Sequence, residues 1–216
     1  MDTNETPQAG RRGRGRPPGR QSSALREMIL DIAEERFAFQ GYAATSLREI
    51  AEQADVNPAM VHYYFGSKRD LLRQVLERSF EPLGQALADL AAEDHVPPAT
   101  VSRVLSRAVR QHPKLPLLVV REVMLPGGVM QKEFLETMAP RLGGALPGIV
   151  AREQAQLRMS PELDPGIVSL LLLALSVFPF IVRGVAEPAL GIRYDKAGLQ
   201  SLEEHVLRLL NEGLTT

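Results

Sequence analysis

The sequence contains no cysteine, which removes disulfide staples, thiolate metal ligands and cysteine nucleophiles together. A reducing cytoplasm is the simplest setting for such a chain. Histidine is scarce, with only His62, His95, His112 and His205, and none stands at a spacing that pairs it with a second metal ligand. No metal or cofactor is expected. No glycine-rich phosphate loop opens a helix after a strand, and no strand carries a nucleophile elbow, so the sequence argues against an enzyme. Strand-like alternation and internal repeats are missing as well. The N-terminus lacks the apolar stretch and small-residue cleavage site of a signal peptide, and export is not expected. An excess of one charge is also absent: 25 Lys and Arg stand against 26 Asp and Glu, and the net charge of -1 argues neither for nor against a nucleic acid partner.

What is present is unevenly placed. Residues 1–22 hold Arg11, Arg12, Arg14, Arg16 and Arg20 against Asp2 and Glu5, with almost nothing apolar. Such a segment cannot offset its ordering entropy and is expected to be disordered when free. Within it, Arg14-Gly15-Arg16-Pro17 is the core tetrapeptide of an AT-hook. Glycine lets the backbone approach the floor of a narrow minor groove, and the flanking guanidinium groups lie along its negative potential. A solvated basic tail that adds only nonspecific attraction to phosphate is the plainer alternative.

A chain of 216 residues with 44% hydrophobic content can bury a full core, and its patterning is helical. From Ser23, the positions Leu25, Ile29, Ile32, Ala33 and Phe37 follow one helical face, and Gly41 is the stop. Ser46 stands three residues before Glu49, the signature of a capping box, and opens a short helix with Leu47, Ile50, Ala51 and Ala54 inward. That helix stops at Asp55-Val56, because Asn57-Pro58 supplies a new N-cap with proline at the first helical position. A third helix runs from Pro58 to about Phe65, and Gly66 and Ser67 lead into a fourth that Pro82 is expected to kink or end. Further helices are read at Ala99 to Gln111, Leu117 to Leu125, Gln131 to Leu157 with interruptions near Pro140 and Pro147, Pro165 to Arg183, and Asp195 to Asn211.

Two short helices joined by a tight turn and braced by a longer one form the helix-turn-helix plan, in which the second of the pair enters the major groove. On Pro58 to Phe65, Val61 and Phe65 can face the core while Pro58, Ala59, Met60, His62 and Tyr63 project outward. These are small, or flat with a polar tip, and no Asp or Glu is among them to repel phosphate. Lys68 could add a charge to a phosphate, and Arg48 could reach a phosphate or a guanine edge. Plain core packing is the alternative for the tyrosines, and it suits Tyr64 better than Tyr63.

The run from Ala24 to Phe80 resembles the N-terminal domain of the TetR/AcrR family of bacterial regulators. The resemblance is carried by Gly41-Tyr42, Thr45-Ser46-Leu47-Arg48-Glu49-Ile50-Ala51 and Val61-His62-Tyr63-Tyr64-Phe65-Gly66-Ser67-Lys68-Arg69-Asp70-Leu71-Leu72. It implies an all-α homodimer of about nine helices per chain, with two recognition helices set for a near-palindromic double-stranded operator. It also implies a fourth helix that links ligand binding to their spacing. The DNA contacts it implies are Ser46, Arg48, Ala59, Met60, His62, Tyr63 and Lys68, to which the arm adds Arg14 and Arg16. The expected division is a disordered basic arm with an AT-hook-like core over 1–22, a helix-turn-helix DNA-binding domain over 23–68, and a ligand-binding and dimerisation domain over 69–216.

In that last part, Pro165 to Val182 is uncharged and nearly all apolar, but it is marginal in length for a membrane span and contains Ser169, Ser176 and Pro179. It reads as an internal helix, with no membrane partner. The resemblance implies that it and the amphipathic helix carrying Leu199, Leu202, Val206, Leu209 and Leu210 form a four-helix dimer interface. Burial inside a single subunit is the alternative. An effector pocket is expected between the fourth helix and the middle helices, lined by Leu76, Phe80, Val120, Met124, Phe134, Met138 and Phe178, and suited to a small, largely apolar molecule. Arg121 and Glu122 interrupt an apolar stretch, either to anchor a polar ligand group or to form a surface pair. The resulting expectation is a cytoplasmic repressor, nucleoid-associated when on DNA, that its effector releases. An activator, or a DNA-organising protein without effector, are the competing readings.

Overall fold

Helix signals in this chain are mostly local, and the computed structural model, which describes residues 18–142 and 144–214, shows where they suffice. Helix α1 spans Pro18–Gln40 and starts ahead of Ser23, inside the segment expected to be disordered. Proline at a first helical position has a fixed φ and a missing N–H that no bond needs there. The chain leaves α1 through Gly41 at φ +87°. Helix α2, Leu47–Gln53, begins with both halves of the capping box at Ser46 and Glu49. Helix α3, Pro58–Phe65, begins where the Asn57 side chain accepts the Ala59 N–H at 2.9 Å. Helix α4, Lys68–Ala92, is capped by Ser67 and passes Pro82 without ending. Pro82 lies on the exposed side of α4, so the bond it forgoes is on the solvent face, where helices tolerate it.

Helix α5 is Pro98–Gln111 and α6 is Leu115–Val119. The stretch expected as one helix through Leu125 then widens into a π-helical turn, Val120–Met124, closed by the Leu125 N–H on the Val120 carbonyl at 2.9 Å. A second π turn, Phe134–Met138, lies between α7 (Gln131–Glu133) and α8 (Ala139–Leu142). The chain breaks before α9 (Ala145–Ala155), between Pro140 and Pro147. Gly144 permits the break: a Cβ there would stand 2.5 Å from the Pro140 carbonyl oxygen. Pro147 falls in the first turn of α9, where its missing N–H is harmless. Helices α10 (Pro165–Ile181) and α11 (Arg183–Leu190) meet at a 77° bend, and α12 is Lys196–Leu214. No strand occurs among the described residues, and no single described helix is long and apolar enough to cross a membrane.

Two apolar clusters organise these elements. The first joins Ile29, Phe37, Ile50, Val61, Leu72 and Leu76 of α1–α4 to Leu118, Val123, Met130 and Met138 around the two π turns. The second joins Leu87 at the far end of α4 to α5, α9, α10 and α12 through Leu105, Ile149, Leu172 and Leu210. Helix α4 thus belongs to both. A charged brace fixes it to α1: Arg78 donates to Glu27, Asp31 and Glu34, spaced along one face of α1, at 3.2, 2.8 and 2.9 Å.

Candidate nucleic-acid interface

Helix α3 is sealed on one side and bare on the other. Val61 and Phe65 are buried in the first cluster, whereas Ala59, Met60 and His62 are exposed and Tyr63 is 81% exposed. Tyr64, on the flank, is half-buried with its hydroxyl 3.0 Å from the Ser22 hydroxyl of α1, so the two tyrosines divide the roles as their positions on the helix suggest. The left-handed Asp55 (φ 53°) makes the tight turn that orients α3 across α2.

The polar groups expected at the interface are brought together, but several are already engaged. The Ser46 hydroxyl accepts the Glu49 N–H at 3.2 Å and donates to its carboxylate at 2.8 Å. That hydroxyl and the Ser46 N–H hold the Glu49 carboxyl below its ordinary range. Arg48 is exposed and donates to Glu52 at 2.9 Å, a solvent-facing pair that a phosphate could displace. His62 Nδ1 lies 2.7 Å from the Gly66 carbonyl, which places the proton on Nδ1 and leaves Nε2 as an acceptor in the neutral ring. The neutral His62 ring therefore offers an acceptor outward, because its proton is spent on the end of its own helix.

Lys68 is turned inward. Its ammonium donates to the Tyr42 and Thr45 carbonyls, both at 2.7 Å, and lies 4.2 Å from the centre of the Tyr42 ring. It pins the loop that leads into α2, a role that sequence spacing did not suggest. Arg14 and Arg16 lie outside the described residues.

The expected ligand-lining residues separate into groups. Phe80 and Met138 line an open cleft of about 630 Å³ between α4 and the α8–α9 segment, with Glu81, Ala88, Arg141 and Leu142. Phe134 packs on Phe80 at 5.6 Å between ring centres, and Val120 is half-buried in the first π turn. Leu76 is fully buried in the first cluster and does not face the cleft. Met124, 63% exposed, ends the π turn at the surface, and Phe178, 56% exposed, stands on the outer side of α10. Arg121 and Glu122 neither pair with each other nor face the cleft. Arg121 donates to the Ala38, Phe39 and Gln40 carbonyls at the end of α1, and the buried Glu122 carboxylate accepts the Tyr42 N–H at 2.9 Å.

Comparison with known proteins gives a family match and a fold match. Residues 29–75 match the family described as bacterial regulatory proteins, tetR family. The transcriptional repressor NicS of Pseudomonas putida is 29% identical over 141 residues, which cover 63% of this chain and 66% of NicS. The transcriptional repressor Rv3405c of Mycobacterium tuberculosis is 38% identical over 134 residues, covering 58% of this chain and 63% of that protein. The chain thus spans just under two thirds of the length of these curated relatives. A solved complex of SmeT with triclosan superposes with a TM-score of 0.68 at 22% identity, covering 89% of this chain and 92% of that one.

Proposed function

Because the chain belongs to the TetR/AcrR family of bacterial regulators, we propose that it is a cytoplasmic transcriptional repressor that binds a near-palindromic operator as a homodimer and leaves it when a small, largely apolar effector binds. The observation that carries this reading is α3, with Val61 and Phe65 sealed in the core and Tyr63 81% exposed on the opposite side. An aromatic ring so fully presented to water on a helix without acidic residues fits insertion into a major groove. Arg48, Ala59, Met60 and His62 are exposed as well, and Ser46 sets the start of α2.

Dimerisation is supported by α10. Its outer side carries Ile167, Leu170, Leu171, Phe178 and Ile181, all exposed and falling at i, i+3, i+4, i+11 and i+14, an apolar stripe of the kind two-fold interfaces cover. The cleft beside Phe80 and Met138 is the place we assign to the effector, and a fold neighbour, SmeT, forms a complex with triclosan. The arm adds Arg14 and Arg16. Ser22 of α1 meets Tyr64 of α3, and the role assigned to Arg14 and Arg16 is contact with the minor groove beside the operator.

Footprinting of the purified protein on the DNA upstream of its own gene tests the reading. A protected near-palindrome is expected, with Tyr63→Ala weakening it about tenfold, the range of a lost base contact, while the dimer persists. The absence of any sequence-specific footprint would remove the proposal.

A further inference from the structure

The first π turn grips the DNA-reading unit from the body. Arg121 spends its guanidinium on the carbonyls of Ala38, Phe39 and Gln40 at 3.1, 2.9 and 3.1 Å, three of the acceptors that the end of α1 leaves open. The approach is so close that a Cβ on Gly41 would stand 2.7 Å from the Arg121 Nη2. The neighbouring Glu122 takes the Tyr42 N–H, and Lys68 of α4 takes the Tyr42 carbonyl. The Gly41 to Thr45 loop, which delivers the chain to the N-cap of α2, is therefore fixed by side chains from outside the α1–α3 unit.

The same turn is wired to the cleft. The Glu122 carbonyl accepts the Met130 N–H at 2.9 Å, and the Met130 carbonyl accepts the Phe134 N–H at 2.8 Å. Phe134 in turn packs on Phe80 at the cleft wall. Single π turns depart from the regular helical register and occur often at functional sites. Here the wider turn places Arg121 and Glu122 on one loop end, and a return to α-helical register would rotate them away from it.

We infer that Arg121 and Glu122 are positioning residues for operator binding: they set the orientation of α2 and α3 relative to the body, and they carry the state of the cleft wall to the reading helices. This inference rests on the proposed operator-binding function, but its central test does not need DNA. Amide hydrogen exchange of the full chain is compared for the wild type, Arg121→Ala, Arg121→Lys, Glu122→Ala and Glu122→Gln. Both alanine variants should raise exchange across Ala43 to Tyr63 by about tenfold, the range for a lost charged hydrogen bond, and leave α10 unchanged. Glu122→Gln keeps an acceptor for Tyr42 and should restore most of the protection, and Arg121→Lys should restore part. Unchanged exchange in 43–63, or an equal rise in α10, would overturn the positioning role.

The route to the cleft is tested with Phe134→Leu. It should raise exchange in 43–63 in the wild-type background and add nothing once Arg121→Ala is present, and additive effects would overturn the route. Operator binding is measured alongside, with affinity expected to fall in step with lost protection. If the wild type binds no operator, the functional proposal fails while the exchange data still decide the clamp.

Discussion

The α1–α4 end of the molecule and the α10–α12 end are built from similar proportions of apolar residues and use them in opposite ways. In the first, Ile29, Phe37, Ile50, Val61, Leu71 and Leu76 are fully covered, and α2, α3 and α4 each start on a side chain that caps them. In the second, α10 buries Val168 and Leu172 on one side but leaves Leu170 at 64% and Ile167 at 59% exposure on the other. One end covers its apolar residues within a single chain, and the other leaves an apolar side exposed. Under the proposed function, the self-sufficient packing lies where DNA would be read and the unfinished packing where subunits would meet.

The comparison can be broken most severely at α10. Leu170→Glu combined with Leu171→Glu puts two charges into the proposed interface, and sedimentation should show monomers with operator binding lost, while the near-native circular dichroism of the head is kept. A dimer that survives this change would return the stripe to the status of ordinary exposed surface. At the other end, Phe37→Ala should lower unfolding stability by about 3–5 kcal/mol, the range for a deleted buried aromatic, measured by urea titration at constant protein concentration. A loss below about 1 kcal/mol would show that the head is not the tightly packed half.

Intermediate effects are expected where the second cluster is tied together. Burial pushes the Glu153 carboxyl up, but the Val96 N–H at 2.8 Å, His95 and Arg158 outweigh it and hold the group below its ordinary value of 4.5. A carboxyl lowered on folding contributes stability above its unfolded value, and that contribution is lost as pH falls through the folded value. Thermal melts should therefore drop below pH 4.5, and Glu153→Gln should flatten that drop. An unchanged acid slope in the variant would assign it to other groups. The smallest effect is expected from Ser46→Ala, which removes one capping hydroxyl and should cost about 1 kcal/mol, visible as a modest fall in the melting temperature.

Much of this architecture was legible because its determinants lie within a few residues of one another. Ser46 with Glu49, Asn57 with Pro58, and Gly66 with Ser67 announce α2, α3 and the start of α4, and the exposed side of α3 follows from helical spacing alone. The π turns were not legible, since an apolar stretch such as Leu117 to Leu125 reads as one helix unless the partners of Arg121 and Glu122 are known, and those lie about eighty residues earlier in the chain. The same holds for Lys68, whose acceptors are backbone carbonyls that leave no mark in a sequence pattern. Proline was a looser guide: Pro82 does not end α4, and the break read near Pro140 and Pro147 falls between them, after Leu142 and before Ala145.

The Tyr42 peptide has its N–H taken by Glu122 and its carbonyl by Lys68, so two distant stretches of chain share one rivet. Anyone grafting this reading head onto the trunk of another regulator must transplant the segment around residues 120–130 along with it. Modularity in such hybrids is set by that joint, and the seam between interchangeable parts does not follow the linear end of the helix-turn-helix.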